Sequence, residues 1–229
     1  MEVTELPKKI TYFPKFITED EEEMLMRKIY DSPKTKWTQL SNRRLQNWGG
    51  LPQAKGMIEE PLPTWLQTYM SRIADIGAFG VLKPNHCLVN EYLRGQGIMP
   101  HEDGDLFYPT VSTITIGSHG VLDFYRHLED SNISLNESRT STLDDRYIGS
   151  VLLERRSLVL VQELMYTSYL HGIKEVESDA LNESIRNIEE TIYKTGDTVS
   201  RGTRISLTIR HVNKSIGGTK LRSFFGKQR

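Results

Sequence analysis

The residues best suited to chemistry lie in NEYLRGQGIMPHED, which spans Asn90–Asp103 and closes on His101-Glu102-Asp103. Side chains at i and i+2 of a strand leave the same face, so an imidazole at 101 and a carboxylate at 103 share one volume. A second histidine, His171, follows in YLHGI. Two imidazoles and one carboxylate bind a divalent transition metal and leave coordination positions open, the donor set of a mononuclear non-haem iron centre. His-x-Asp alone is a weak signal, because such pairs arise by chance on surfaces. Its weight comes from the elements around it.

Near the C-terminus, RISLTIR sets Arg204, Ser206, Thr208 and Arg210 on one strand face and Ile205, Leu207 and Ile209 on the other. The apolar face is ordinary core. Two guanidinium groups on the opposite face are costly to bury unless an anion compensates them. A small dicarboxylate matches that need, since each arginine can hold a carboxylate bidentately. Two exposed arginines on an edge strand would give the same string. A further stretch, residues 33–56, interleaves Lys34, Lys36, Arg43, Arg44 and Lys55 with Trp37 and Trp48. Bases stack on aromatic faces and cations neutralise phosphate, so Trp37, Arg43, Arg44 and Trp48 are candidates for a substrate-facing lid. Core tryptophans with a solvated rim of cations explain the stretch equally well. Asp105 joins the candidates if the strand runs on past Asp103; Gly104 and Phe107-Tyr108-Pro109 allow a turn there equally well.

The elements that must position these groups are mostly strands. Short β-type runs at 86–93, 111–117, 120–125, 149–154, 156–161 and 204–212 argue for a sandwich, jelly roll or barrel. TYFPKFI reads as an edge strand. Thr18-x-x-Glu21 is a capping box that opens a helix with an acidic first turn. Trp65, Leu66, Tyr69, Met70, Ile73 and Ile76 recur at helical spacing, with Gly77 as a stop. Residues 126–148 are polar and serine-rich, like a long hairpin connection. Within 174–203, Ser178 is placed to cap a helix carrying Leu181, Ile185, Ile188 and Ile192.

The chain has 229 residues, 29 Lys+Arg against 30 Asp+Glu, and net charge −1, so any nucleic-acid contact needs a local basic surface. Cys87 is the single cysteine, which excludes an internal disulfide and suits a small buried residue. No window reaches about 18 apolar residues, so no membrane-spanning helix is expected. An intracellular monomer, in cytoplasm or nucleus, is the expectation. His86, His119, His127 and His211 have no partner at ligand spacing and read as structural or surface histidines. The tail NKSIGGTKLRSFFGKQR is basic and aromatic and reads as a disordered or docking segment, or as a nucleic-acid contact.

Taken in order, Asn90, Tyr92, Gly95, His101 and Asp103 meet the pattern Asn-x-Tyr-x2-Gly-x5-His-x-Asp, and Arg204 and Arg210 meet Arg-x5-Arg. With His171 between them, and YPTVSTITIG and DFY after the first motif, the chain resembles the AlkB family of Fe(II)- and 2-oxoglutarate-dependent dioxygenases from about residue 10 to 213. KWTQLSNRRLQNWGGLP, GIMPHEDG and RGTRISLTIR are most similar to its sixth-homologue branch. The resemblance implies a mostly β chain with flanking helices (α+β) around a double-stranded β-helix, or jelly-roll, core. It implies residues 1–85 as an N-terminal extension with the lid region, 86–213 as the core with insertions 126–148 and 174–203, and 214–229 as the basic tail. His101, Asp103 and His171 would hold Fe(II). Arg204 with Tyr92, and Ser206 nearby, would hold the far carboxylate of 2-oxoglutarate, and Arg210 with Asn90 the iron-side one. O2 would be the second cosubstrate, and single-stranded or alkylated DNA or RNA the partner. An oxygenase acting on protein or another substrate, and a silent binding jelly roll, are the alternatives. A zinc hydrolase built on the same His2Asp set would leave Arg204 and Arg210 unexplained.

Overall fold

The computed structural model describes residues 1–4, 6–7, 9–128 and 142–216. In chain order the elements are β1 (Ile10–Phe13), α1 (Glu19–Tyr30), β2 (Thr38–Gln39), β3 (Arg44–Trp48), β4 (Met57–Ile58), α2 (Thr64–Asp75), β5 (His86–Tyr92), β6 (Ile98–His101), β7 (Thr110–Ile116) and β8 (Gly120–Arg126). There follow α3 (Leu143–Arg146), β9 (Tyr147–Leu153), β10 (Leu158–Gln162), α4 (Glu163–Thr167), β11 (Tyr169–Ile173), β12 (Ser178–Ala180), β13 (Thr198–Ser200), β14 (Arg204–Arg210) and β15 (Ser215–Ile216).

Two antiparallel sheets face one another. The larger runs β1-β10-β7-β14-β5-β3-β2 and the smaller β6-β11-β8-β9. Alternation along the strands decides which side chains meet where. On β14, Ile205, Leu207 and Ile209 point outward with Val89 of β5, Ile114 of β7 and Leu160 of β10. They pack beneath α1 (Leu25, Ile29) and α2 (Leu66, Tyr69, Met70, Ile73). The opposite faces turn toward the smaller sheet. There Val159, Val161 and Val111 meet Leu122, Phe124, Val151, Leu153 and Ile173 in a second apolar layer. The space between the sheets is therefore apolar on one side and, along β5 and β14, polar on the other. This is the jelly-roll core with flanking helices that the sequence implies.

The edge position of β1 and the β8–β9 hairpin agree with expectation; residues 129–141 of the connection lie outside the described residues, as do 217–229 of the basic tail. The capping box forms as read: Glu21 N–H donates to Thr18 Oγ1 at 3.2 Å, and Thr18 N–H donates to the Glu21 carboxylate at 2.9 Å. One acid of that first turn is not solvated. Glu22 is buried, accepts from the Gly117 N–H at 2.7 Å and pairs with Arg155 at 2.8 Å, which ties α1 to the β7–β8 turn. The proposed boundary at residue 85 separates strands that hydrogen-bond within one sheet, since β3 pairs with β5 and β1 with β10. Among the described residues no helix is long and apolar enough to cross a membrane.

The helix expected from Ser178 through Ile192 does not form. β12 pairs with β13, and residues 182–187 lie along the open edge of β9. Ser150 N–H donates to the Ser184 carbonyl at 2.9 Å and Arg186 N–H to the Ser150 carbonyl at 2.8 Å. Asn187 completes the pairing with its side chain: Oδ1 accepts from Leu152 N–H at 2.8 Å and Nδ2 donates to the Leu152 carbonyl at 2.9 Å. Apolar spacing alone suggested a helix, but Leu181 and Ile185 reach their core contacts with Val121 and Leu152 from this extended course. Backbone groups spent on the sheet edge are not available for helical bonds. Ile192 is 73% exposed and contributes nothing to the stripe.

Asn187 supplies a donor and an acceptor to a buried peptide unit. Asn187→Ala should lower the free energy of unfolding by about 2 kcal/mol, the cost of stranding buried backbone groups. Asn187→Asp, which sets a buried carboxylate against the Leu152 carbonyl, should cost more still. Urea unfolding of the three proteins decides this; equal stability of Asn187→Ala and the native chain would refute it.

Candidate active site

The inward faces of β5 and β14 line a cavity of about 260 Å³ between the sheets, and Asn90, Tyr92, Arg204, Ser206, Thr208 and Arg210 all open onto it. The smaller sheet supplies His101 and His171 to the same cavity, with Asp103 beside them. His101 ends β6 and stands in register with His171 on β11. Their ring centroids are 4.5 Å apart. His101 Nδ1–H donates to the Met99 carbonyl at 2.9 Å, which fixes the ring and leaves the Nε2 lone pair free. Burial holds His171 well below its ordinary value, at about 4, against the opposing pull of Asp103. It is therefore neutral at physiological pH, the form that binds a metal.

β6 ends at His101, so Asp103 reaches the cavity from the segment beyond it. One carboxylate oxygen, Oδ1, accepts from Arg210 Nη1. The other, Oδ2, is buried without a hydrogen-bond partner and lies 3.8 Å from His171 Nε2. With Asp103 drawn to Arg210, no three His, Cys, Asp or Glu side chains among the described residues converge at metal-ligand spacing. The donor chemistry nevertheless fits a divalent metal: a neutral imidazole, a second with a free Nε2, and a buried carboxylate oxygen that lacks a partner.

Arg204 has the opposite problem. It is 5% exposed, and no ion pair to it is formed among the described residues. Its Nη2 donates to Thr115 Oγ1 at 2.9 Å, while Nε has no partner. The guanidinium carbon lies 5.7 Å from the centre of the Tyr92 ring. Burial pushes its pKa down to about 10, and burial likewise raises that of the Tyr92 phenol. An added Cβ at Gly120 would stand 3.0 Å from Arg204 Cδ, so a larger residue there would push the side chain from its present position. A guanidinium buried with one neutral partner calls for an anion. Arg210, by contrast, is engaged by Asp103 and lies 4.1 Å over the Phe107 ring.

Strand parity sorts the candidates for substrate contact. Arg43 precedes β3 on its inward face, reaches the cavity, and donates from Nε to Asn90 Oδ1 at 3.2 Å. Arg44 faces outward and makes two 2.8 Å bonds to Glu91, with Trp37 4.1 Å beneath it. Trp37 and Trp48 both pack on the outer core, and Trp48 meets Trp65 edge-on at 5.5 Å. Asp105 lies exposed in a turn. Of the five, the structure brings only Arg43 to the cavity. The remaining histidines behave as read. His119 is bound to Asp179 at 2.9 Å, which Arg201 also clamps at 2.6 Å. His127 faces Glu102 at 3.2 Å, and His211 Nδ1–H donates to the Lys83 carbonyl. Sequence reading missed Thr115, Gly120 and Phe107. Thr115 was legible, since it shares the inward parity of Val111 and Thr113.

Comparison with known proteins bears on this site. A family model described as the 2OG-Fe(II) oxygenase superfamily matches residues 21–210. A zebrafish (Danio rerio) protein named probable RNA/DNA demethylase ALKBH6 is 51% identical over 99% of this chain and 94% of its own length. A Xenopus tropicalis protein named tRNA (carboxymethyluridine(34)-5-O)-methyltransferase alkbh8 is 24% identical over 92% of this chain, which spans 32% of that larger protein. The solved structure of OsALKBH1 shares the fold, with a TM-score of 0.57 over 90% of this chain and 98% of that one at 12% identity.

His86 borders this machinery and carries a pH dependence. It is buried, donates from Nε2 to Asn47 Oδ1 at 3.2 Å, and burial holds its pKa down at about 3. The folded chain keeps it neutral while the unfolded chain protonates it below about 6.5. This contribution to stability is therefore full above 6.5 and lost as pH falls toward 3. Between pH 7 and 5 the loss should be about 2 kcal/mol. His86→Gln should flatten that part of the stability profile, measured by urea midpoints at the two pH values; an unchanged slope would refute the assignment.

Proposed function

We propose that this chain, which belongs to the 2OG-Fe(II) oxygenase superfamily and to its AlkB branch, works as an oxidative N-demethylase on alkylated nucleic acid. The observation that carries the reading is one cavity holding both a buried guanidinium with no ion pair among the described residues, Arg204, and a two-histidine, one-carboxylate set. His101, Asp103 and His171 would hold Fe(II). Arg204, flanked by Tyr92, Ser206 and Thr115, would hold one carboxylate of 2-oxoglutarate; Arg210 and Asn90 stand at the other end, beside Asp103. Fe(II) with O2 and 2-oxoglutarate supplies oxidative decarboxylation to succinate and CO2, with one oxygen atom entering a substrate C–H bond. An N-hydroxymethyl product then releases formaldehyde and the N–H base.

The chain's own part is positional. His171 presents a neutral nitrogen, and His101 a ring oriented by the Met99 carbonyl. Arg210 orients Asp103 and neutralises it. Thr115 and Gly120 fix where Arg204 lies. The apolar wall of Leu122, Leu153, Val159 and Ile173 limits water in the cavity. The nucleic-acid substrate rests on the zebrafish relative's name and on the cationic wall described below, and it suits the expected cytoplasmic or nuclear setting.

Succinate release by the purified protein with Fe(II), ascorbate and O2 tests this. Methylated single-stranded DNA or RNA should stimulate it, with formaldehyde in equal amount; turnover that no oligonucleotide stimulates would move the substrate to another class. His101→Ala and His171→Ala should each abolish turnover and iron binding. Arg204→Met should weaken 2-oxoglutarate binding by about 2–5 kcal/mol, the cost of unpairing a buried charge, read by calorimetric titration. Unaltered affinity would remove Arg204 from the site.

A further inference from the structure

Arg43 closes the β2–β3 loop. Leu40 N–H donates to the Arg43 carbonyl at 2.9 Å, and Asn42 Nδ2 donates to Glu175 Oε1 at 2.5 Å, which joins this loop to the segment after β11. Two other cations of this stretch are compensated: Lys36 lies 3.4 Å from Glu60, and Arg44 is held by Glu91. Arg43 is not. Its bond is to a neutral amide, Asn90, and no ion pair to it is formed among the described residues. A guanidinium only donates, so Asn90 must turn its oxygen toward Arg43 and its NH2 elsewhere. The Nη groups of Arg43 keep donors for another acceptor.

Among the described residues no acid is ion-paired with Arg43: Glu175 accepts from Asn42, and Glu102, which also lines the cavity, is turned to His127, 3.2 Å from its Nε2. Asp103 is engaged by Arg210, and Asp105 lies exposed in its turn, away from the cavity wall. The wall beside Asn90 thus presents a positive charge with hydrogen-bond donors, facing the space a substrate group must enter.

N-methylated bases fall into two electrostatic classes. 1-Methyladenine and 3-methylcytosine are cations at neutral pH. 3-Methyluracil and 3-methylthymine are neutral, with a carbonyl oxygen on each side of the methylated nitrogen. Resting on the nucleic-acid reading above, we infer that Arg43 is a specificity-determining residue that selects a neutral, carbonyl-bearing N-methyl base over a cationic one. A carbonyl beside the N-methyl group accepts from Arg43. A cationic base offers like charge at short range in a half-buried site and leaves the guanidinium without an acceptor.

The test uses single-stranded RNA of one sequence carrying uracil, 3-methyluracil, 1-methyladenine or 3-methylcytosine at one position. Formaldehyde release by the full chain with Fe(II) and 2-oxoglutarate gives kcat/KM for each. The native protein should favour 3-methyluracil over either cationic base by about tenfold or more, the scale of one charged hydrogen bond. Arg43→Gln should collapse that ratio toward one, and Arg43→Lys, which keeps the charge, should retain part of it. A native ratio near one, or one favouring cationic bases, overturns the inference and leaves the nucleic-acid reading standing. Equal losses on both base classes in Arg43→Gln also overturn it, because a residue that merely steadies Asn90 lowers both alike. Failure of every methylated RNA, and of the same bases in single-stranded DNA, to stimulate turnover overturns both readings together. The native ratio decides even if the variant folds poorly.

Discussion

Arg204 and Arg210 carry two positive charges into the space between the sheets, where a charge costs several kcal/mol unless something of opposite sign meets it. Arg210 meets Asp103. Among the described residues Arg204 meets a threonine hydroxyl and the face of a tyrosine, and no ion pair. Neither can retreat to water, because β14 is the central strand of the larger sheet, paired on one side with β5 and on the other with β7. Its alternate residues are locked beneath two helices by Ile205, Leu207 and Ile209. A strand pinned this firmly on its outer face gives its inner face no freedom to rearrange. The guanidinium groups stay where an anion must come to them.

The smaller sheet solves a different problem. Metal ligands must be unprotonated before the metal arrives. Burial keeps His171 neutral, and a backbone carbonyl holds His101 in one orientation. The two sheets therefore divide the labour by solvation: one holds charges that burial makes costly, the other holds a base, His171, that burial keeps uncharged. The cavity is where these opposite uses of desolvation meet.

Much of this was legible in the chain itself. Period-two alternation located the main strands, and it put the two arginines of RISLTIR on one face, which the structure buries. Parity also separates Arg43 from Arg44, yet reading the Trp/Arg stretch as one cationic surface blurred that distinction. The insertion after β11 was misread because apolar residues at helical spacing can also arise in an extended segment. Nothing in the composition of 182–187 reveals that β9 has an open edge to be filled. The burial of Glu22 was hidden for a similar reason: its partners, Gly117 and Arg155, are remote in sequence, and the acidic run around it looks uniformly solvated.

The order of strands in the larger sheet has a consequence for synthesis. Its central strand, β14, is the last of the sheet to be made, and it separates β5 from β7. Until residues 204–210 leave the ribosome, these two strands have no shared neighbour, and the apolar residues destined for α1 and α2 have an incomplete floor. Sheets joined by such distant pairings form slowly and expose sticky intermediates on the way. The strand that brings the anion-seeking arginines is thus also the one that closes the fold, so a nascent chain truncated before it would have neither a complete sheet nor a site.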